Sequence, residues 1–326
     1  MTRARLFSLF LLLCAIALIA LNVMAWRHVH AMLNFVDAAE RTPSPEQLST
    51  RERINTLVSG VQIPRPENRS TPADLGLRYE TIQIRSSESV TLEAWMLRAP
   101  SASGIVLLFH GYADSKATLL PNAQAFLEKG YSALLVDFRG SGGSSGSITS
   151  VGYRESQDVA AVFHYVRSAH PRLPIILYGQ SMGAAAILRA VDQHRLRPRA
   201  IIVEACFDRL LTTVSHRFHA MKLPAFPFAH TLLFWGGIQI GGSAFSHNPA
   251  DYARNVVTPT LVLHGANDPR VTEAEAQNIF DNLAGPKQFL VLPDIGHESY
   301  VVRAPTAWRQ SVAAFLASLP PATPPR

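Results

Sequence analysis

The first stretch of the chain is almost wholly apolar. Residues 6–26 contain no charged side chain and are dominated by Leu, Ala and Ile. A helix rises about 1.5 Å per residue, so one of this length spans a hydrocarbon core of about 30 Å. Arg3 and Arg5 precede the run and Arg27 follows it, which favours a cytoplasmic N-terminus and a body on the non-cytoplasmic side. The pattern predicts a transmembrane anchor or signal over residues 1–30.

The apolar run is longer than the core of about 7 to 15 residues that is typical of cleaved signals, which favours a retained anchor. Residues 23–25, Val-Met-Ala, nevertheless resemble a small-residue cleavage site, and cleavage there would give a secreted form. Cys14 lies in the middle of the run and follows Leu13, whereas a lipoprotein signal prefers a small residue at that position. A lipoprotein is therefore disfavoured.

Prolines and polar residues replace this pattern over residues 31–74. One short helix is predicted over residues 46–58, between two proline clusters. We interpret the segment as a stalk or lead-in to a separate domain over residues 75–326.

Short β-rich runs alternate with helical stretches from residue 75 onward. Residues 79–85 and 90–97 alternate like the strands of a hairpin. Six apolar runs are typical of strands buried on both faces: 105–109, 133–136, 175–178, 200–203, 260–263 and 288–292. Helices are predicted over 117–129, 153–169, 182–194, 273–283 and 306–319. Strands that alternate with helices in this way predict a mostly parallel, doubly wound sheet.

One interval breaks the alternation. About 55 residues rich in Phe, Leu and Trp separate the strand ending near Glu204 from the strand starting at Thr260. A structureless loop of that length is unusual in a compact domain. We predict a helical cap over about residues 206–252, while ordinary core packing remains the alternative for each single aromatic residue.

Composition narrows the class of protein. The chain has 326 residues, of which 48% are hydrophobic and 17% charged, and this excludes a disordered chain. The formal net charge is +6, but three arginines lie in the first thirty residues, so 27 basic and 24 acidic side chains remain without a recognition motif. Nucleic acid is not an expected partner. Two distant cysteines, Cys14 and Cys206, build neither a disulfide framework nor a cysteine zinc site.

A candidate nucleophile lies where a predicted strand passes into a helix. Residues 179–183 read Gly-Gln-Ser-Met-Gly, directly after the apolar run at 175–178. A serine on such a tight turn projects its hydroxyl clear of the sheet, and side chains at Gly179 and Gly183 would collide with the strand and the helix. The N-terminus of the following helix favours developing negative charge. Ser181 is therefore the candidate nucleophile.

A serine hydroxyl needs a base, usually a histidine that a carboxylate orients. Asp268 lies in a turn after the apolar run at 260–263, and His297 lies after the run at 288–292. Both positions are at carboxyl ends of predicted parallel strands, where ligands bind in open sheets. The order of nucleophile, acid and base makes Asp268 and His297 the candidate partners of Ser181.

The tetrahedral intermediate also needs two hydrogen-bond donors. One candidate is the backbone N–H of Met182, the residue after the nucleophile. The other lies in the loop after the run at 105–109, where Gly111 permits a turn that aims the Tyr112 N–H at the site. His110 precedes the serine in the wrong order for a base and is interpreted as a structural loop residue.

Together these segments resemble a serine hydrolase of the α/β-hydrolase superfamily, esterase-like or lipase-like. The resemblance covers about residues 75–319 and rests on segments 110–111, 137–142, 179–183, 264–268 and 296–297. It implies the α/β-hydrolase fold, with an eight-stranded, mostly parallel sheet, helices on both faces and a helical cap after strand 6. It also implies Ser181, Asp268 and His297 as catalytic residues. Segment 137–142 resembles a structural turn of that family and is assigned no chemistry.

Two alternative site assignments concern a different catalytic acid and a metal site. Asp208, just past the sixth predicted strand, is a position from which some relatives take the acid, but the context His-Gly-x-x-Asp at 264–268 matches the family better. A second grouping comprises four histidines of the predicted cap, His216, His219, His230 and His247. No clustered carboxylate accompanies them, so no metal is expected. No cofactor is implied either, because the glycines of residues 140–146 lack the pattern of a nucleotide site.

These features predict a membrane-tethered serine hydrolase that cleaves a carboxylic ester. The apolar cap favours an acyl substrate, including a lipid-like one, and the N-terminal helix makes the membrane a partner. A thioesterase and an amidase or peptidase remain alternatives, since the same three residues serve all of them. A ligand-binding or sensing protein with this fold is the non-enzyme alternative.

Overall fold

An eight-stranded sheet lies at the centre of the computed structural model, which describes residues 3–37, 40–43 and 47–320. The strands are β1 (Glu80–Arg85), β2 (Thr91–Leu97), β3 (Ile105–Phe109), β4 (Ser132–Val136), β5 (Ile175–Gln180), β6 (Ala200–Glu204), β7 (Thr260–Gly265) and β8 (Lys287–Leu292). Their order across the sheet is β1-β2-β4-β3-β5-β6-β7-β8.

The strand pairing confirms the predicted fold class. Strands β3 to β8 run parallel to one another, while the β1–β2 hairpin joins β4 in antiparallel fashion. Strands β3, β4, β6 and β7 are buried along their whole length, as their uninterrupted apolar runs predicted. For β8 the prediction is wrong, because this strand lies at the edge of the sheet and only Leu292 is buried. Apart from small shifts at their ends, the strands occupy the predicted positions.

Helices cover both faces of this sheet. They are α1 (Arg3–Leu33), α2 (Thr50–Ser59), α3 (Leu120–Glu128), α4 (Glu155–Ala169), α5 (Met182–His194), α6 (Leu210–Ala220), α7 (Phe228–Ile240), α8 (Pro249–Ala253), α9 (Glu273–Asn282), α10 (Tyr300–Arg303) and α11 (Pro305–Ala317). One apolar core lies between the sheet and α4, α5, α8 and α9, and a second lies between the sheet and α3 and α11. The predicted two-sided arrangement is confirmed.

Differences from the predicted helices have local causes. The helix predicted from residue 117 is a 3-10 turn at Lys116–Leu119 followed by α3, which has a proline in its first turn. Helices α8 and α10 were not predicted, because four or five residues are too few to show a helical period. The predicted cap is present between β6 and β7 and consists mainly of α6 and α7.

The lead-in binds to the domain and is not a free stalk. Its helix α2 begins at Thr50, after the capping residue Ser49, whereas the first predicted residue, Glu46, lies outside the described residues. The Arg65 guanidinium donates to three backbone carbonyls of the β4–α4 loop, those of Gly142, Ser144 and Gly146 at 2.8, 2.6 and 3.1 Å. Phe35 and Ile63 are buried, and the Phe35 N–H donates to the Ser147 carbonyl of the same loop at 2.7 Å.

The predicted N-terminal span is a single unbroken helix. Helix α1 extends to Leu33, three residues beyond the predicted boundary, and is apolar and long enough to cross a membrane. Residues 1–2 of the predicted anchor and residues 321–326 of the predicted domain lie outside the described residues.

A buried ion pair fixes the loop after β4. The Lys116 ammonium contacts the Asp137 carboxylate and lies 2.8 Å from Glu93 Oε1, with the Lys116 and Asp137 side chains fully buried. Asp137 also accepts from the Gly143 N–H and the Asn68 amide, each at 2.8 Å. Burial by itself would raise the pKa of Asp137, but the ammonium and the hydrogen bonds hold that pKa below its ordinary value. Segment 137–142 is thus a structural turn.

Replacing Lys116 by Met should destabilise the protein by about 3 to 5 kcal/mol, because the Asp137 carboxylate would stay buried without its counter-charge. Guanidinium unfolding of the full chain in detergent measures this loss. Arg98→Met is the matched control: it removes the cation of the exposed Arg98–Glu80 pair and should hardly change the unfolding midpoint. Equal effects of both substitutions would contradict this account.

Candidate active site

Ser181 lies on a sharp turn between β5 and α5. Its backbone has φ 49° and ψ −112°, a conformation that non-glycine residues rarely adopt. A Cβ atom at Gly179 would lie 2.6 Å from the Gly183 carbonyl carbon, and one at Gly183 would lie 2.4 Å from the Phe109 oxygen. The predicted need for both glycines is confirmed. The crowding holds the turn against the end of β3 and presents the Ser181 hydroxyl above the sheet.

The structure brings the three predicted catalytic residues together. The Ser181 hydroxyl lies 3.2 Å from His297 Nε2, and His297 Nδ1 lies 2.6 Å from Asp268 Oδ2. With the proton on Nδ1, the imidazole donates to Asp268 and accepts from Ser181. Asp268 follows β7 and His297 follows β8, so both come from the same sheet edge as the β5–α5 turn.

Asp268 is held as a carboxylate. Its Oδ1 accepts from the N–H groups of Arg270 and Val271 at 2.8 and 3.0 Å, while Oδ2 accepts from His297. Burial alone would raise the pKa of Asp268, but the His297 hydrogen bond and these N–H groups hold it below its ordinary value. An ionised acid at this position fixes the orientation and the tautomer of the imidazole.

The rival acid, Asp208, lies elsewhere. Its Oδ2 accepts from the Asn278 side-chain amide at 2.7 Å, and the Arg209 guanidinium lies 3.9 Å away. Asp208 thus ties the start of the cap to α9. The hydrogen bond to His297 comes from Asp268.

The predicted oxyanion loop borders Ser181. A Cβ atom at Gly111 would lie 3.8 Å from the Ser181 Cβ, so the loop and the nucleophile are neighbours. Within the part of the chain that the structure describes, the N–H groups of Tyr112 and Met182 make no hydrogen bond. His110 Nε2 accepts from the Phe138 N–H at 3.0 Å and Nδ1 donates to the Gly111 oxygen at 2.8 Å, which are structural contacts.

The Tyr112 side chain packs against the core of the domain and binds α1. Its hydroxyl donates to the Met32 carbonyl at 2.5 Å, and its ring packs on Phe35. Burial raises the pKa of Tyr112 to about 12, so the donor keeps its proton. The loop next to Ser181 is therefore attached directly to the N-terminal helix.

The four cap histidines have separate surroundings. His216 lies 3.4 Å from Glu275, His230 packs between Phe226 and Phe245, and His247 is buried against Tyr252. His219 is a residue of α6. Among residues 3–37, 40–43 and 47–320 no three His, Cys, Asp or Glu side chains form a group that could hold a metal ion.

One titratable group of the site was not predicted. Glu204 ends β6, and its backbone oxygen accepts from the Ser181 N–H at 2.8 Å. Its fully buried carboxyl group accepts from the Trp308 indole N–H and from the Gln180 amide at 3.1 Å. Burial outweighs these donors and raises the pKa of Glu204 to about 7. The signal for this group in the sequence is an acidic residue at the end of an otherwise apolar run.

A cavity of about 1100 Å³ opens above Ser181 and His297. The cap contributes apolar side chains such as Val214, Phe218 and Leu232. Helix α1 forms a further part of the wall, which the sequence did not reveal. The cavity exceeds the 300 to 1,000 Å³ or so that is usual for small-molecule sites.

Known sequences match this chain over much of its length. A family profile described as serine aminopeptidase, S33, matches residues 100–251. The protein bem46 of Schizosaccharomyces pombe is 26% identical over 262 residues, which cover 77% of this chain and 81% of bem46. A membrane protein of Saccharomyces cerevisiae, itself uncharacterised, is 23% identical over 238 residues, covering 72% of this chain and 78% of that protein.

Solved structures share the architecture. An esterase from Pyrococcus furiosus has a TM-score of 0.65 and 24% identity, over 78% of this chain and 97% of that chain. An esterase from Exiguobacterium antarcticum has a TM-score of 0.54 and 17% identity, over 73% of this chain and 100% of that chain. At such identities the likeness concerns the fold. The sheet order, the β5–α5 turn and these matches show the α/β-hydrolase fold.

Asp268→Asn should lower kcat by about a thousandfold or more, because an amide stabilises neither the required histidine tautomer nor the imidazolium. The measurement is ester turnover by the full chain in detergent. Asp208→Asn is the matched control, and it should leave turnover little changed. A larger loss in Asp208→Asn than in Asp268→Asn would exchange the two assignments.

Glu204→Gln should change how stability depends on pH. The unfolded carboxyl group ionises near 4.5, whereas the folded group keeps its proton up to about pH 7. Stability that is present at low pH is therefore lost as the pH rises from 4.5 to 7, by about 3 kcal/mol. As the pH rises over that range, the unfolding temperature of the wild type should fall relative to that of Glu204→Gln. A similar trend in the exposed control Glu88→Gln would contradict the assignment.

Proposed function

We propose that the protein is a serine hydrolase that cleaves a carboxylic ester with an apolar acyl group through an acyl-serine intermediate. The observation that carries the proposal is the hydrogen-bonded series Ser181, His297 and Asp268 at the cavity floor. Such a series has a recognised chemical use, since the base activates the hydroxyl and the acid orients the base.

Acylation would begin at the Ser181 hydroxyl. Its oxygen attacks the ester carbonyl carbon while its proton passes to His297 Nε2. The carbonyl oxygen becomes an oxyanion, and the N–H groups of Tyr112 and Met182 are the proposed donors to it. The tetrahedral intermediate collapses as the bond to the alcohol oxygen breaks, and His297 gives its proton to that leaving group. Asp268 stabilises the imidazolium in between.

Deacylation would repeat these steps with water. His297 Nε2 takes a proton from the water, the resulting oxygen nucleophile attacks the acyl carbonyl, and a second tetrahedral intermediate forms. Its collapse breaks the bond to Ser181 Oγ, which regains a proton from His297. The products are a carboxylic acid and free enzyme.

The cavity favours an apolar acyl group. The side chains of Val214, Phe218 and Leu223 line it on the cap side, and Phe207 and Met32 add further apolar surface. Burial of a hydrocarbon chain against these groups would contribute about 0.8 kcal/mol per methylene. Esterases among the related solved structures support the same reaction class.

Hydrolysis of an amide is the second candidate, because the matching family profile is described as a serine aminopeptidase. An aminopeptidase would need a carboxylate for the substrate ammonium group. Glu204 and Asp114 line the cavity, but burial holds their pKa values above the ordinary range. This weakens both as anionic partners. Ester, thioester and aminoacyl substrates compared at one enzyme concentration separate the candidates.

Helix α1 is proposed to be a retained anchor, with the hydrolase domain on the non-cytoplasmic side. The helix passes without a break through residues 23–25, the segment that resembles a cleavage site, and Ala25 is buried. The charge bias of Arg3 and Arg5 over Arg27 supports the orientation. A related yeast sequence described as a membrane protein supports the anchor.

Ser181→Ala should lower ester turnover by several orders of magnitude, because no other group can form the acyl-enzyme. A fluorophosphonate probe read by intact mass gives the direct measurement. The full chain in detergent should gain one label, and Ser181→Ala should gain none.

The control is Ser299→Ala, which removes a second serine hydroxyl that lines the cavity and should label as the wild type does. Unchanged turnover in Ser181→Ala would refute the assignment of Ser181 as the nucleophile. No labelling of folded wild type would favour the ligand-binding alternative over an enzyme.

A further inference from the structure

Helix α1 is longer than a membrane span requires. Its 31 residues extend about 46 Å, whereas about 20 residues cross the hydrocarbon core. With Arg3 and Arg5 at one surface, the other surface lies near Ala25, next to the exposed Trp26, a residue type enriched at membrane interfaces. The last two turns of α1 therefore project from the membrane into the hydrolase domain.

One face of α1 lines the cavity over most of its second half. The residues on this face repeat every three or four positions: Ala17, Ala20, Leu21, Met24, His28 and Met32. They span about 22 Å along the helix. The first four lie within the apolar span and the last two lie beyond it, so the cavity wall continues from bilayer depth to the loop next to Ser181.

Specific contacts hold this face in position. The Trp235 indole donates to Asn22 Oδ1 at 3.1 Å, and the Gln239 amide donates to the Trp26 carbonyl at 3.1 Å. Val29 of α1 packs with Ile240 of α7. At its end, α1 receives the Tyr112 hydrogen bond from the oxyanion loop. The helix is thus part of the fold around the nucleophile.

The outer surface of the cap beside α1 is apolar. Phe226, Phe234, Ile238 and Phe245 expose 72, 53, 56 and 43% of their surface, and α7 carries no Asp, Glu, Lys or Arg. Helix α7 packs on the part of α1 that meets the membrane surface, and this places its exposed Phe234 and Ile238 beside the same leaflet. Their contact with acyl chains would remove them from water.

We infer that α1 is a wall of the substrate site as well as an anchor, and that the substrate is an acyl ester lipid of the bilayer that enters sideways along the cavity face of α1. The acyl chain then lies along the α1 face and the ester group reaches Ser181. This inference rests on the proposed ester hydrolysis and adds the source of the substrate.

A bulky side chain on the cavity face of α1 should slow the hydrolysis of esters with long acyl chains and leave that of short esters unchanged. The test uses the full chain in phosphatidylcholine vesicles with p-nitrophenyl palmitate in the same bilayer and p-nitrophenyl acetate in water. Ala20→Trp places an indole on the cavity face. Ala15→Trp is the matched control, since it makes the same change about 140° away around the helix, outside the cavity lining. Fluorophosphonate labelling counts the active sites of each variant.

Ala20→Trp should lower palmitate hydrolysis per labelled site by about tenfold or more and leave acetate hydrolysis nearly unchanged. Ala15→Trp should change neither. The inference is overturned if Ala20→Trp retains palmitate hydrolysis, if both esters lose rate together, or if Ala15→Trp has the same effect.

A second measurement tests the route of entry. Palmitate ester placed in the vesicles that hold the protein should be hydrolysed at least about tenfold faster than the same ester in separate vesicles, because entry from the leaflet requires a shared bilayer. Equal rates would show uptake from water and overturn the inference. If either test contradicts the inference but the probe still labels Ser181, the proposed ester hydrolysis is unaffected. If the probe does not label Ser181, the proposed function itself is refuted.

Discussion

The close approach of α5 to the end of β3 is the constraint on which the rest of the site depends. Gly183 leaves no room for a Cβ atom against the Phe109 carbonyl, and the chain must therefore turn sharply at Ser181. A strained residue of this kind costs about 1 to 3 kcal/mol and persists only where surrounding structure determines it. Here the parallel pairing of β3, β5 and β6 supplies that support, and it also brings the oxyanion loop beside the hydroxyl.

Two buried acids near this turn are held in opposite states. Asp268 receives two backbone N–H groups and the imidazole, and these donors outweigh its burial. Glu204 is more deeply buried and its donors do not outweigh the loss of solvation. One carboxyl group is thus available as an anion beside His297, while the other, in the core under Ser181, keeps its proton up to about pH 7. The difference follows from solvation and donors, since both are ordinary carboxylic acids.

The fold and the three site residues could be predicted from the sequence because both depend on local patterns. Apolar runs fixed the strands, and the glycines around Ser181 have a steric reason that needs no tertiary knowledge. Asp268 could be preferred to Asp208 only through a family motif, since both follow strands. Glu204 and the α1 wall went unpredicted for a different reason. Their roles come from long-range packing, of Trp308 on β6 and of α1 on α7, and neither leaves a periodic signal near the residue concerned.

Attachment of the oxyanion loop to α1 links the membrane to the chemistry in physical terms. The Tyr112 hydroxyl is buried and binds the Met32 carbonyl, so a shift of the last turn of α1 must move or break that contact. The same tyrosine carries a proposed oxyanion donor on its backbone. A helix free in water would have an exposed apolar surface over residues 6–24, and packing against the cap covers only part of it. The bilayer would cover the remainder and so hold α1, and with it the Tyr112 contact, in place.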